Sequence, residues 1–383
     1  MLLHFQDSAK VKTRNVAFET AYYARDSITL SQLRDLSSKR RAIEESINGS
    51  SHLTAAIARE MAGGITSPIA QDLLKLEGYL PLLENLIECV QREIDNKPQV
   101  RQWTIDLRFR WTSPLSGSTG TSLTGPKYFR IDDLRYELCM VLNLYSALLR
   151  ERALEVLPLD QVKAAQLFRQ AAGVYQHTAE NVLPQLQSSL AVGAERPPEA
   201  SVSVARIMSI VCLAEAQAVT ARRAEEKGTT GSLLAKLHFG VVQFLDEALE
   251  LLQEVEPESV HVSEKFRRFL NICKVLHESR SQRYIAAEFR TEEKLGMAVG
   301  VLRHSMNRVQ SVRSPNDDAW KPVYKQEVDA LVQLLRKCES ENEFIWRLRV
   351  PRVDELPILE GRRLVAALPY QPFGLDRDFV FVT

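Results

Sequence analysis

The sequence predicts a mainly α-helical protein, an elongated helical solenoid with a small β element. Two observations predict this fold class. Apolar residues recur with the 3.6-residue period of a helix over most of the chain, and short turn signals separate the periodic stretches. One stretch, WTIDLRFRW at 103–111, instead alternates apolar and polar residues, as a strand with one buried face does.

The predicted helices are long and follow one another closely. They cover residues 30–62, 68–96, 131–154, 159–190, 200–228, 230–255, 259–288, 290–312 and 322–344. Breakers such as Pro158, Gly228 and Pro315 separate them. Long helices joined by short turns pack as antiparallel hairpins and stack into an elongated body. No tetratricopeptide consensus with a period of about 34 residues recurs, so the core is TPR-like at most.

The alternating stretch at 103–111 needs a pairing partner, which predicts a small hairpin or sheet beside the helices. The loop after it contains Gly120 and Gly125, which have the spacing of a phosphate-binding loop. Pro126 stands where that motif needs lysine, and it also removes a backbone donor. We therefore expect no nucleotide site in this loop.

The chain is expected to form one domain over residues 1–383, closed by an extended C-terminal strap at about 350–383. Pro351 and Pro357 prevent a helix there and favour extended backbone. The apolar residues expected to anchor the strap to the helical body are Leu356, Ile358, Leu364 and Val365.

Composition excludes several classes of protein. Lys plus Arg and Asp plus Glu both number 49, so net charge gives no argument for a nucleic-acid partner. The five scattered cysteines are typical of buried thiols in a reducing compartment. No signal peptide, lipidation motif or apolar run of about 18 residues is evident. A soluble, intracellular protein without a lipid anchor is expected.

The sequence contains no pattern that indicates catalysis or a bound cofactor. The seven histidines show no spacing typical of metal ligands, and no nucleophile elbow is present. Neighbouring carboxylates such as Glu225 and Glu226 diverge on a helix rather than converge. We expect no catalytic residues, metal, cofactor or small-molecule substrate.

The segment from Gly231, GSLLAKLHFGVVQFL, points to recognition of a partner. Leu233 and Leu237 are i, i+4 neighbours on a helix that is apolar around most of its circumference. Such a helix is either buried on all sides or leaves a groove for an amphipathic helix of another protein. In the Ala-rich helix before it, Glu215 and Gln217 are either satisfied core residues or surface residues.

Several segments resemble one known family. They are LRFRWTSPL (107–115), LRYELCMVLNLYSALL (134–149), AAGVYQHTAENVLPQL (171–186), AEAQAVTARRAEEKGTTGSLLAKL (214–237) and ENEFIWRLRVP (341–351). In this order they resemble the Bro-one domain family, the ALIX-like endosomal sorting scaffolds, and most closely its Brox-type single-domain members. The resemblance implies a boomerang-shaped helical domain with a TPR-like core. It also implies a non-catalytic adaptor of the multivesicular body pathway, cytoplasmic and recruited to endosomes.

The resemblance further implies a partner and a site. The partner is the C-terminal amphipathic helix of the polymer-forming ESCRT-III subunit, docked on an exposed apolar patch. The positions that match the family's patch are Leu233 and Leu237, with Thr220 in place of an aromatic residue and Leu144 as a further candidate. Burial of two leucines offers about 1.5–3 kcal/mol each, enough for micromolar binding.

Two other functions remain open from the sequence. One is a generic TPR-like scaffold that binds a different helical peptide through the same patch. The other is a peripheral membrane-binding module that uses basic residues on a curved face. Animal Brox-type proteins end in a prenylated cysteine, whereas this chain ends in DRDFVFVT. Recruitment to membranes is therefore expected to depend on partners or basic surface.

Overall fold

The computed structural model describes residues 2–49, 67–94, 98–117, 126–189, 195–255, 261–372, 374–375 and 377–382. These residues are mainly helical, as the sequence predicts. The α-helices are α1 (Phe18–Ala21), α2 (Ser27–Asn48), α3 (Pro68–Ile94), α4 (Pro98–Leu107), α5 (Leu134–Val156), α6 (Gln161–His177), α7 (Leu183–Ser189), α8 (Val202–Glu226), α9 (Gly231–Val255), α10 (Glu264–Thr291), α11 (Leu295–Ser311) and α12 (Lys321–Glu341). Shorter turns of 3₁₀ or π helix are Gln6–Ala9, Thr178–Val182, Pro198–Ala200, Asn342–Trp346 and Val353–Glu355. The predicted helix at 30–62 is confirmed up to Asn48, and its remainder lies outside the described residues.

The long helices pack as a stack of neighbours. From α5 onward the main contacts are α5 with α6, α6 with α8, and then each helix with the next up to α12. One hydrophobic core runs through the stack and includes side chains from Leu3 to Phe381. A smaller core joins α10, α11 and α12. The result is the elongated helical arrangement expected from successive hairpins.

The β element is smaller than the sequence predicts. Strand β1 (Arg110–Thr112) pairs antiparallel with β2 (Tyr128–Arg130), which confirms that a partner strand exists. The prediction of a strand over 103–107 is wrong, because those residues belong to α4. Trp103 and Leu107 are also i, i+4 neighbours, so their spacing suits a helix equally well. Packing of Trp103 against Tyr22 and Phe381 selects the helix.

The glycine loop considered as a nucleotide site lies largely outside the described residues. The five cysteines are buried free thiols, as predicted.

Helix α8 departs from the expectation that no apolar stretch approaches the length of a membrane span. By length and composition alone Val202–Glu226 is apolar enough to cross a membrane, and 78% of the relevant stretch is buried inside the protein. Its interior carries Glu215, which forms a bidentate pair with Arg150 at 2.8 and 2.9 Å. His4 donates to the same carboxylate at 2.8 Å. Glu215 is thus a satisfied core residue, and α8 is the central helix of the stack.

The C-terminal strap (residues 350–383) crosses the helical body in the reverse of chain order. Its main-chain contacts are Arg362 N to Lys236 O in α9 (2.9 Å), Leu368 N to Arg169 O in α6 (3.0 Å), and Arg377 N to Asn85 Oδ1 in α3 (3.3 Å). Near its end, the Val380 carbonyl oxygen accepts from the Arg25 backbone N–H before α2, and the Val380 N–H donates to the Thr29 hydroxyl in α2. Phe381 is buried against Tyr22. The strap therefore connects distant helices.

Two of the side chains expected to anchor the strap do not do so. Ile358 is 95% exposed and Leu364 is 51% exposed, whereas Leu356 and Val365 are half-buried. Around residues 362–368 the strap is held by its main chain, which lies close to the helices because they present glycines beneath it. A Cβ on Gly173 would lie 1.7 Å from the Leu368 carbonyl oxygen, so only glycine permits this approach.

Candidate docking surface

The hairpin of α8 and α9 carries three of the four residues implied as partner contacts. Helix α8 ends at Glu226, and Gly228 then adopts a left-handed conformation with φ of 72°. Glycine is the usual residue at this position after a helix, because it has no Cβ that would clash in the left-handed conformation. Helix α9 begins at Gly231, which brings its first two turns alongside the last turns of α8.

The structure places the four predicted residues at different depths. Thr220 and Leu233 are half-buried and reach the surface. Leu237 and Leu144 are each only 1% exposed. The expectation of an exposed patch is therefore wrong for these two side chains, since Leu237 packs inside the helical stack and Leu144 lies on an all-buried part of α5. Contact of the four residues with a partner stays a prediction.

The strap passes over the same face of this hairpin. Gln217, fully buried, donates from Nε2 to the Arg362 carbonyl oxygen at 2.8 Å and to that of Leu237 at 3.2 Å. Its Oε1 accepts from the Leu364 backbone N–H at 3.0 Å. Gln217 thus satisfies three main-chain groups and fixes the strap to α8. Thr220 follows one helical turn along α8, on the same side.

A glycine in α9 allows the strap to lie this close. A Cβ on Gly240 would be 2.6 Å from the Arg362 carbonyl oxygen. Beside it, the Arg363 guanidinium stacks on the Phe244 ring at 4.4 Å and pairs with Glu247 at 2.7 Å. This part of the strap is therefore held by backbone hydrogen bonds, by the buried amide of Gln217 and by the cation–π contact of Arg363 with Phe244.

The outer side of the strap carries two large apolar side chains among charged ones where it crosses the helices. Ile358 and Leu364 project into solvent, as their exposure shows. Residues 357–360 also border a shallow cavity of about 210 Å³ with Ala235, Lys236 and Phe289 of the helices beneath. Lys236 and Arg362 add positive charge to this surface, Glu360 adds one negative charge, and the Arg363–Glu247 pair is neutral overall.

A second exposed apolar cluster lies at the end of α12. Its members are Phe344, Ile345, Trp346 and Leu348, exposed by 74, 69, 38 and 40%. The buried Asn342 side chain fixes the turn beneath them by bonding both the N–H and the carbonyl of Leu348 at 3.0 Å. Arg347, between these residues, adopts a left-handed conformation with φ of 52°. The Asn342 side chain thus positions the turn that exposes this cluster.

The opposite side of α9 carries a buried histidine pair. The Nδ1 atoms of His238 and His277 are 3.1 Å apart, and the His238 ring stacks in parallel on Tyr284. Burial, reinforced by Arg280 and Arg283, lowers the pKa of His238 to about 3. Burial and Arg280 also hold the pKa of His277 well below its usual range. Both rings are therefore neutral in the folded protein at neutral pH.

This pair predicts an acid sensitivity that a substitution should remove. Below the unfolded pKa of 6.5, the unfolded ring of His238 takes up a proton that the folded ring does not. The free energy of unfolding should therefore fall by about 2 kcal/mol for this ring as the pH drops from neutral to about 5. Urea denaturation at both pH values should show a smaller drop for His238→Gln than for the wild type.

The pKa of His4 is raised, so protonation of this ring stabilises the folded protein, in contrast to protonation of His238. Because the wild type and His238→Gln both retain His4, its effect cancels when their pH dependences are compared. Burial and Arg150 lower the pKa of His4, but Glu215 and Glu151 outweigh them. His261→Gln is the matched control, since that ring is exposed. Parallel pH dependence for the wild type and His238→Gln would contradict the assignment.

Comparison with known proteins decides the family. The sequence profile of the BRO1-like domain matches residues 74–378, which is most of the chain. The chain belongs to the BRO1-like domain family. The human BRO1 domain-containing protein BROX is 24% identical over 311 residues, covering 77% of this chain and 72% of that protein. Programmed cell death 6-interacting protein of Xenopus laevis is 25% identical over 75% of this chain and 32% of its own length.

Solved structures agree with the fold of this BRO1-like domain. The ALIX BRO1 domain in complex with CHMP4C matches with a TM-score of 0.66 at 20% identity and covers 96% of both chains. A Bro1 domain studied as the basis for endosomal targeting matches with a TM-score of 0.61 at 14% identity, covering 94% of this chain and 91% of that one. The predicted resemblance and the predicted fold class are both confirmed.

Sequence reasoning missed the residues that fix the strap in this BRO1-like domain. The sequence leaves Gln217 open between core and surface, because its partners on the strap lie 145 and 147 positions further along the chain. The signal that could have revealed the strap's path was glycine inside helices. Gly173 and Gly240 interrupt strongly helical patterns, and such glycines often mark a close backbone approach.

Proposed function

We propose that this protein is a non-catalytic adaptor of the endosomal sorting and multivesicular body pathway. It binds the C-terminal amphipathic helix of the polymer-forming ESCRT-III subunit, acts in the cytoplasm and is recruited to endosomes. The observation that supports this is the fold match, over 96% of both chains, to a BRO1 domain that was solved in complex with CHMP4C.

The face of α8 and α9 that bears Thr220 and Leu233 is the proposed docking surface. Leu233 offers the larger apolar contact that solvent can reach. The Thr220 hydroxyl bonds to the Ala216 carbonyl oxygen at 2.9 Å, so its polar group is already satisfied within the helix. Leu237 is buried in α9 and Leu144 is buried in α5, and their contact with the partner stays a prediction. Of the three leucines, Leu233 is the one that can gain burial on binding, and because it is already half-buried it offers at most about 1.5–3 kcal/mol.

Titration of a labelled peptide of the ESCRT-III C-terminal helix tests this proposal. Leu233→Asp should weaken binding by at least about tenfold, because it places a charge where the apolar face of the helix docks. Thr220→Phe should strengthen binding by about fivefold, since it adds apolar contact area to the same surface. Leu159→Asp is the control, as Leu159 is 91% exposed in the turn after α5.

Equal binding by the wild type and Leu233→Asp would reject the assigned face. No binding by the wild type would reject the ESCRT-III helix as its ligand. The generic scaffold hypothesis would then remain, with a different helical peptide as the partner.

One observation favours a membrane contact in addition. The exposed cluster from Phe344 to Leu348 combines aromatic and aliphatic side chains with the exposed Arg347, a composition suited to the interface of an anionic bilayer. Flotation with anionic vesicles at low and high salt tests it, because an electrostatic attachment weakens as salt screens it.

A further inference from the structure

The outward-facing aliphatic residues of the strap have no role in holding it in place. Main-chain bonds at Arg362 and Leu364 and the close approach at Gly240 position this segment. Ile358 and Leu364 could both be polar without loss of these contacts, yet both are large, apolar and exposed. Exposed apolar side chains gathered on one surface are typical of an interaction site.

Their position relates them directly to the proposed docking surface. The backbone N–H of Leu364 bonds to Gln217, which lies one turn from Thr220 on α8. Ile358 borders the cavity that Lys236 of α9 also lines, and Lys236 lies one turn from Leu233. The strap thus places one aliphatic side chain beside each half of the α8–α9 hairpin.

The charge around this surface indicates which face of a partner it suits. Lys236 and Arg362 are exposed, and among the described residues neither side chain forms an ion pair. Glu360 is the acidic residue of this stretch, so the balance is positive. An amphipathic helix with an apolar stripe and an acidic flank complements both features.

We propose that the strap forms part of the docking surface for the partner helix. Ile358 and Leu364 contact its apolar stripe, and Lys236 and Arg362 face its acidic flank. This inference rests on the proposed function and deepens it, because it makes the surface a composite of two segments far apart in the chain.

The experiment uses the full chain and the same labelled peptide of the ESCRT-III C-terminal helix. Ile358→Asp combined with Leu364→Asp should raise Kd by at least about tenfold, with each single variant showing a smaller loss. Both side chains are exposed, so the variants should melt like the wild type. Leu159→Asp, also at an exposed leucine, should bind like the wild type.

A second measurement does not depend on affinity. An environment-sensitive fluorophore attached to Ile358→Cys should shift to shorter wavelength when the peptide is added, because the partner helix covers it. The five native cysteines are buried, which favours selective labelling. The same fluorophore on Leu159→Cys should not respond.

The outcomes separate this inference from the proposed function. If the wild type binds and the double variant binds as tightly or more tightly, the strap is not part of the surface, while the adaptor function stands. If the wild type fails to bind the peptide, the proposed function fails and this inference fails with it.

Discussion

Removal of residues 350–383 is expected to destabilise the protein strongly. The deletion removes Phe379 and Phe381, which are 7% and 1% exposed in the intact protein. Full burial of a phenylalanine contributes about 1.5–3 kcal/mol, so the two together account for about 3–6 kcal/mol. The loss should be larger still, because the Gln217 amide would lose its partners on the strap and the faces of α6 and α9 would become exposed.

Thermal and urea denaturation of the truncated and full-length proteins provide the measurement. Gly173→Ala is a milder variant of the same test, since its Cβ would force the Leu368 carbonyl away and loosen the strap. Ile358→Ala is the control, because that strap side chain is exposed and its loss should leave stability unchanged. A truncated protein that melts like the full chain would show that the strap does not stabilise the body.

Glu215→Gln is expected to cost about 3–5 kcal/mol of stability, because it leaves a buried guanidinium without its anion. Arg150 is fully buried, and its hydrogen bonds go to Glu215 and to the Ser8 hydroxyl at 2.9 Å. Burial raises the pKa of Glu215, but Arg150 and His4 outweigh it and hold that pKa at about 2. The carboxylate is thus ionised at neutral pH and is the group that neutralises Arg150.

Urea denaturation at neutral pH measures this effect, and two variants control for it. Glu226→Gln disrupts the exposed pair with Arg222 and should leave stability unchanged, since exposed ion pairs contribute little. Arg150→Met combined with Glu215→Leu should be more stable than Glu215→Gln alone, because removal of both charges leaves none unpaired. A Glu215→Gln protein as stable as the wild type would contradict a neutralising role for Glu215.

The sequence predicted correctly the features that depend on residues close together in the chain. The long helices follow from apolar periodicity, and their ends agree with Pro158, Gly228 and Pro315 as breakers. The stretch at 103–111 shows the limit of this signal. A spacing of four residues suits both a helix and an alternating strand, and contacts with Tyr22 and Phe381, distant in the chain, select the helix.

The candidate site was predicted less well than the fold. The resemblance directed attention to the correct hairpin, yet periodicity could not show that Leu237 and Leu144 are buried while Leu233 reaches the surface. The strap is extended apart from the turn at Val353–Glu355. Of its four predicted anchors, Leu356 and Val365 are half-buried, whereas Ile358 and Leu364 are exposed and main-chain bonds over helix glycines hold the strap there.

By itself, the sequence determined the helical class, the order of the helices and the family, because each depends on residues close together in the chain. Only the tertiary structure decided which side chains remain exposed and how the strap is held. Those properties depend on contacts between distant positions, such as Gln217 with Arg362 and Leu364, and no local pattern encodes them.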